Sequence, residues 1–400
     1  MVDFNFHSPT YFAFGKGKEC ETGALAKRFG ATKVLVHFGG GSCVRSGLLD
    51  RVTASLEAAG LPHVMLGGVQ PNPRSGKVEE GVELARREGV DFILAVGGGS
   101  AIDSSKAIAI GAANGGEWRQ YYVGKDRVPP PIPAALPVGV VLTIAAAGSE
   151  GSGNSIVTLE PGDLKRGTSN DILRPRFAVM NPELTMTLPA YQTACGLTDM
   201  FAHLCERYFT PTPDCPLTDR LCEAVMRTVV EEGAKVMAHP DDYQARANIM
   251  WAGMLAHNNT CGVGRVQDWS SHGIEHELSA LYDCAHGAGL AVVMPAWMEY
   301  VHAADPARFV RFATEVWGVA DAGDAETTIR AGLAKYRAWL KSLGMPSSFA
   351  ELGARREDIP RLVSTLGLHG NLLGNFRKLN DADVAAIFEL CCRYRSFPIS

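Results

Sequence analysis

No C-x-x-C pair occurs in the 400 residues, although ten cysteines are present. Both a zinc-knuckle spacing and a thioredoxin-like dithiol are thereby excluded. The adjacent Cys391 and Cys392 are poor geometry for an ordinary disulfide, so the thiols read as reduced and the expected compartment is the cytoplasm. There is no G-x-G-x-x-G fingerprint and no G-K-[ST] phosphate loop. No run reaches the roughly 20 apolar residues of a membrane span. The most apolar stretch, Pro131–Gly148, is broken by Pro133 and Pro137. The first residues, MVDFNFHSPTYFAFGKGKE, lack a basic segment followed by an apolar one and do not read as a signal peptide. No block of like charge stands out, and the net charge of -5 argues against a nucleic-acid partner. No internal repeat is visible.

What the chain has is glycine, 43 residues, much of it in short clusters, and two styles of sequence. A length of 400 suggests two domains. Up to about Pro182, short apolar runs alternate with helical patterns. Lys33–Phe38, His63–Leu66, Phe92–Val96, Val138–Thr143 and Phe177–Met180 read as strands. Ser46–Gly60, Ser75–Gly89 and Ala101–Asn114 read as helices. Alternation of this kind predicts an α/β domain with a doubly wound parallel sheet over residues 1–182. Beyond Pro189 amphipathic patterns take over, in Gln192–Phe209, Leu217–Glu232, Tyr243–Asn258, Val266–Leu281, Gly289–Ala303, Pro306–Trp317, Ala325–Leu343, Arg356–Thr365 and Ala382–Arg395. Residues 183–400 therefore read as an all-α domain.

Two glycine clusters each follow a strand: Gly39, Gly40, Gly41 with Ser42, and Gly97, Gly98, Gly99 with Ser100. A glycine turn opening a helix lets the backbone approach a pyrophosphate and presents free N–H groups to it. The spacing of Ser100 and Asp103 is that of a capping box with Asp in place of Glu. Two such turns in one α/β domain favour a dinucleotide over bare turns.

The second half holds a metal-ligand pattern. Asp199 and His203 lie one turn apart on a helix, and His272 and His276 repeat the spacing. His286 follows in Asp-Cys-Ala-His-Gly. One carboxylate with three imidazoles suits Fe²⁺ or Zn²⁺. The HGIEH segment lacks the Glu directly after the first His that a zinc protease needs. Spacing alone leaves open which imidazoles would bind.

With these motifs in view, the whole chain resembles the iron-containing (group III) alcohol dehydrogenases, in particular the branch of butanol dehydrogenases and NADPH-dependent aldehyde reductases. The resemblance rests on FNFHSPTYFAFGKG, VLVHFGGGSCVRSG, QPNP, ILAVGGGSAIDSSKAIA, GSE, RPRFAVMNPELTMTLP, GLTDMFAHLCERYF and DWSSHGIEHELSALYDCAHGAGLAVVMPAWMEY. It implies a dinucleotide domain followed by a helical metal domain. It further implies Asp199, His203, His272 and His286 as ligands of one divalent metal, and His276 as a catalytic residue that does not bind it but serves the cofactor end or relays a proton. Gly97–Ser100 with Asp103 would hold the pyrophosphate of NADP(H) or NAD(H), and Asn72, Thr143, Asn154 and Lys165 match positions near the cofactor. Gly39 stands where NAD-preferring members often carry an acid, and Arg45 where NADPH users carry a lysine. Ser42 offers a hydroxyl beside them. Three positions depart from the pattern: Ala147 replaces a threonine, Asn181 an aspartate, and Cys195 a smaller residue.

The implied reaction is hydride transfer between a small alcohol or aldehyde and the nicotinamide. No charged clamp for an acidic substrate lies in the metal motifs, and Trp251, Trp269 and Tyr282 flank them. Polyol (glycerol-type) oxidation is the alternative on this scaffold. A cyclase would need basic residues around His272–His286, which are missing, and the intact ligand residues argue against a non-catalytic metal- or nucleotide-binding protein on the same scaffold. A homodimer through the strand 5–14 is the expected assembly.

Overall fold

The computed structural model describes residues 1–124, 127–162 and 164–393, and these fall into two compact units. The first comprises His7–Leu188 with Asp241–Asn258. Its sheet is built from β1 (Tyr11–Phe14), β2 (Val34–Phe38), β3 (His63–Leu66), β4 (Phe92–Gly97), β5 (Val138–Leu142) and β8 (Phe177–Met180). All pairings are parallel, in the order β1-β8-β5-β4-β2-β3. The helices of this unit are α1 (Thr22–Arg28), α2 (Gly41–Arg45), α3 (Leu48–Ala58), α4 (Ser75–Glu88), α5 (Gly99–Ala113) and α8 (Tyr243–His257).

The central strands are apolar without alternation because both faces are covered. Successive residues point to opposite faces. Val34, Val36, Phe92, Leu94 and Val96 join the core with Leu25, Val52 and Leu56 of α1 and α3. Leu35, Ile93 and Ala95 join the core with Val78, Val82 and Ile108 of α4 and α5. A short antiparallel pair, β6 (Asn154–Leu159) and β7 (Leu164–Ser169), stands apart from the sheet. The sequence reading did not foresee it.

The second unit comprises Met1–Phe6, Pro189–Pro240 and the chain from Asn259 onward, and its described elements are helical. They include α6 (Ala190–Tyr208), α7 (Pro216–Ala238), α9 (Ser270–Tyr282), α10 (His286–Val301), α11 (Pro306–Arg311), α12 (Ala325–Ser342), α13 (Phe349–Leu352), α14 (Ile359–Leu366) and α15 (Asp381–Arg393). The helix predicted over 306–317 is α11 followed by a π-helical turn, Phe312–Val316. Residues 394 and 395 of the predicted final helix lie outside the described residues. Phe201 of α6 stacks on Tyr336 at 5.1 Å and meets Trp339 at 4.9 Å. Each such aromatic pair adds about 0.5–1.5 kcal/mol beyond the area it buries, and these two brace α6 against α12.

Two segments depart from a single boundary at 182/183. Helix α8 belongs with the sheet, because Trp251 packs edge-on against Phe12 and Phe14 while Met250 and Met254 enter the core with α4 and α5. Met1–Phe6 belongs with the helices, where the Val2 N–H donates to Gly264 O at 2.9 Å.

Candidate metal centre and nucleotide cradle

Three helices of the second unit carry the metal-ligand pattern. Helix α6 brings Asp199 and His203, α9 brings His272 and His276, and His286 is the first residue of α10. Asp199 Oδ1 lies 3.4 Å from His203 Nδ1, 3.8 Å from His272 Nε2 and 3.7 Å from His286 Nε2. The rings of His203 and His272 stack at 4.7 Å. One donor atom from each of Asp199, His272 and His286 lies within 4.8 Å of the others. His203 falls outside that tightest group. His276 lies to the side, its ring 5.5 Å from that of His286.

Asp199 Oδ1 and His272 Nε2 are buried without a hydrogen-bond partner. Leaving such groups unpaired costs free energy. A divalent cation among them removes that cost, and the residues fit the group. The His286 side chain is 24% exposed and that of His272 only 6%, so His286 marks the open side.

Two buried carboxylates back the imidazoles, and neither was singled out in the sequence. Glu206 Oε1 meets His272 Nδ1 at 2.8 Å, and Glu275 Oε2 meets His286 Nδ1. Burial lowers the His272 imidazolium, but Asp199 and Glu206 outweigh it and push it up to about 9. A signal for Glu206 was present, since it lies three residues after His203 on the same helix face. Spacing between helices is set by bare backbone. A Cβ on Gly287 would lie 2.1 Å from Cys195 O, so α10 and α6 touch there.

Of the three aromatics, only Trp269 belongs to this centre. Its ring is 5.2 Å from His272 and 5.8 Å from His203, and the Arg207 guanidinium lies 4.7 Å over it. Its backbone is left-handed at φ 68°, a conformation that is strained for a bulky residue, and its N–H donates to Glu206 Oε2 at 2.6 Å. Trp251 packs in the sheet unit. The Tyr282 hydroxyl instead donates to Asp358 and accepts from the Arg355 N–H.

In the first unit the glycine turns leave neighbouring strands at their carboxyl ends. Phe38 of β2 pairs with Val96 of β4, and Gly97 with Leu142 of β5. Gly39–Ser42, Gly97–Ser100 and Thr143 therefore share one edge, where the strand order reverses between β2 and β4. Ligands of open α/β sheets bind at such a point. Asn72 follows β3 and accepts from Lys165 Nζ of β7 at 3.0 Å. Asn154 Nδ2 donates to His257 Nε2 at 2.9 Å.

The capping box is not formed. Gly98 is the N-cap of α5 without a side-chain bond, and Ser100 lies inside the first turn. Asp103 Oδ2 instead accepts the Ile156 N–H at 3.0 Å, tying α5 to β6. Burial pushes the Asp103 carboxyl up to about 6. At Gly98 a Cβ would meet Ile144 at 2.1 Å, whereas Gly40 faces open space. Packing alone thus requires glycine at 98.

A parallel sheet with glycine turns at its switch point and a helical unit holding a carboxylate-imidazole centre define the class of metal-dependent, nicotinamide-linked dehydrogenases. The family model "Iron-containing alcohol dehydrogenase" matches residues 9–182, and its C-terminal counterpart matches residues 193–391. The chain belongs to this family, as its motifs suggested. It is 39% identical to NADH-dependent butanol dehydrogenase A of Clostridium acetobutylicum over 97% of this chain and 99% of that protein. It is 35% identical to the NADPH-dependent aldehyde reductase YqhD of Escherichia coli over 92% and 94%. The crystal structure of the NADH-dependent butanol dehydrogenase A of Thermotoga maritima superposes with a TM-score of 0.94 at 40% identity, covering 98% of this chain and 99% of that one. A 1,3-propanediol dehydrogenase of Citrobacter freundii is more distant, at 29%. The polyol alternative has correspondingly less support. Among the described residues no helix is long and apolar enough to cross a membrane.

Proposed function

We propose that this enzyme interconverts small, mostly apolar aldehydes and primary alcohols with NADP(H) or NAD(H), at one divalent metal held by Asp199, His203, His272 and His286. The observation that carries the reading is the convergence of three imidazole nitrogens within 3.8 Å of the buried Asp199 Oδ1. A cation bound there supplies Lewis acidity toward the substrate oxygen, and the nicotinamide supplies or accepts the hydride. Asp199 provides the one negative charge among the ligands. Trp269 walls the centre and keeps water from the His203 and His272 side. His276, beside the more exposed His286, hands a proton to the product alcohol oxygen and takes it back in the oxidation.

Gly39–Ser42, Arg45, Gly97–Ser100, Asp103, Thr143, Asn72, Asn154 and Lys165 form the proposed coenzyme site. Its support is their common origin at the carboxyl edge of the sheet and on β6 and β7. The enzyme works in the cytoplasm as a homodimer paired through residues 5–14. Support for the pairing comes from β1, an edge strand whose Tyr11 is exposed.

A panel of aldehydes with metal-loaded enzyme, followed by nicotinamide absorbance, tests the reading. Turnover of butanal and its neighbours, abolished by chelation and restored by Fe²⁺ or Zn²⁺, is expected. Turnover that survives complete metal removal, or a preference for glycerol over butanol, overturns it.

A further inference from the structure

His286 is the ligand that packing does least to hold. It opens α10, and its side chain is four times as exposed as that of His272. An imidazole in that position has two ring orientations and two tautomers open to it. Only one combination turns an unprotonated Nε2 toward Asp199 Oδ1, 3.7 Å away. His272 is fixed by Glu206 at both its ring and its backbone N–H. For His286 the fixing group comes from another helix. Glu275 of α9 is fully buried, its Oε2 meeting His286 Nδ1 and its Oε1 accepting from Ser279 Oγ. A carboxylate accepts only, so Nδ1 must carry a proton, and in the neutral ring that binds a cation Nε2 is the nitrogen left with its lone pair.

The space for this carboxylate is created elsewhere. A Cβ on Gly289 would lie 2.3 Å from Glu275 Oε1, 2.8 Å from its Cγ and 2.9 Å from its Cδ. Any side chain at 289 would displace Glu275. Glycine has no conformational reason to be there, since 289 lies inside α10, where glycine costs helix stability relative to alanine.

We propose that Glu275 is a positioning residue that locks the tautomer and orientation of His286, and that Gly289 is the vacancy it requires. The inference rests on the metal reading given above. Carboxylates behind metal-binding imidazoles raise ligand basicity, and their loss weakens metal affinity by roughly 10- to 100-fold.

The test is a Co²⁺ titration of the metal-free, full-length protein, read by the visible absorption of the bound ion and by chelator competition. The wild type is compared with Glu275→Gln, Glu275→Ala and Gly289→Ala, and the thermal midpoint of each metal-free protein is recorded. Co²⁺ affinity should fall roughly 10- to 100-fold in Glu275→Ala and in Gly289→Ala. Glu275→Gln keeps an acceptor without the charge and should recover part of the loss. Its metal-free midpoint should match or exceed that of the wild type, because a buried carboxylate has been removed. Should Glu275→Ala fail to fold, Glu275→Gln and Gly289→Ala carry the comparison. Wild-type affinity and an unchanged Co²⁺ spectrum in both of these overturn the inference alone. A wild type that binds no Co²⁺ removes the metal reading and this inference with it.

Discussion

Glu206 Oε1 accepts two hydrogen bonds from His272, one from the backbone N–H at 2.9 Å and one from Nδ1 at 2.8 Å. One atom thus sets both where α9 begins and how its first imidazole faces. Glu206→Ala should lower metal affinity by about 10- to 100-fold and activity with it, with recovery at saturating metal. Asp199→Ala and His272→Ala should lose the metal and nearly all turnover, and neither should recover. Metal content after dialysis, measured beside kcat, separates the two behaviours.

His276 sits beside His286 without belonging to the group around Asp199. His276→Ala should keep full metal content and retain partial activity, its kcat falling by no more than the roughly 10²-fold at the low end of what a positioned acid or base contributes. Complete metal loss in this variant would place His276 among the ligands instead.

Coenzyme choice turns on the end of β2. Gly39 has no left-handed backbone, and a Cβ there would meet nothing closer than Val69 O at 3.8 Å, so an aspartate fits. The Arg45 guanidinium folds over Gly41, and a guanidinium can pair with a phosphate in a bidentate way. NADPH should be preferred over NADH, Arg45→Ala should raise the KM for NADPH, and Gly39→Asp should reverse the preference. Equal kcat/KM with both donors, indifferent to Arg45→Ala, would overturn this expectation.

Lys106 is fully buried and donates to three carbonyls, Ser149 O at 2.8 Å, Ser152 O at 2.9 Å and Asn154 O at 2.7 Å. Burial lowers its ammonium to about 8 despite the nearby Asp103 and Glu150. Lys106→Met strands three carbonyls and removes a cation that both carboxyls feel, leaving Asp103 with Lys165. It should cost about 3–5 kcal/mol and raise the KM for the coenzyme through Asn154. Urea unfolding and coenzyme kinetics check both.

His37 is buried between Leu66 O at 2.9 Å and Ser104 Oγ at 2.8 Å, partners that a neutral ring satisfies. Burial pushes its imidazolium down to about 4. Between the ordinary value near 6.5 and 4 the unfolded chain binds the extra proton, so stability falls as pH drops through that window. The loss at this one group is about 3 kcal/mol by pH 4. Urea midpoints at pH 7 and pH 4.5 should therefore differ less in His37→Asn than in the wild type.

The strands of the main sheet and the carboxylate and histidine segments were legible because their signals are local. FILAVG is apolar throughout, and Asp199 with His203 sits one turn apart on one helix. What escaped depends on contacts distant in sequence. Trp251 and Trp269 look alike as aromatics near metal motifs, yet one packs on Phe12 and Phe14 and the other on His272. The β6–β7 pair escaped because β7 (LKRGTS) has one large apolar side chain and β6 (NSIVTL) mixes asparagine, serine and threonine with its three without strict alternation. Ser100 and Asp103 had the spacing of a cap, but Ile156 offered Asp103 a better use.

The contact of Gly287 with Cys195 acts as a gauge. Asp199 lies one turn beyond Cys195 on α6, and His286 directly precedes Gly287 on α10. The opening between the two backbones that carry these donors is therefore set by main-chain contact, and the side chains place their atoms within it. A methyl group at 287 would wedge the helices apart and widen that opening directly.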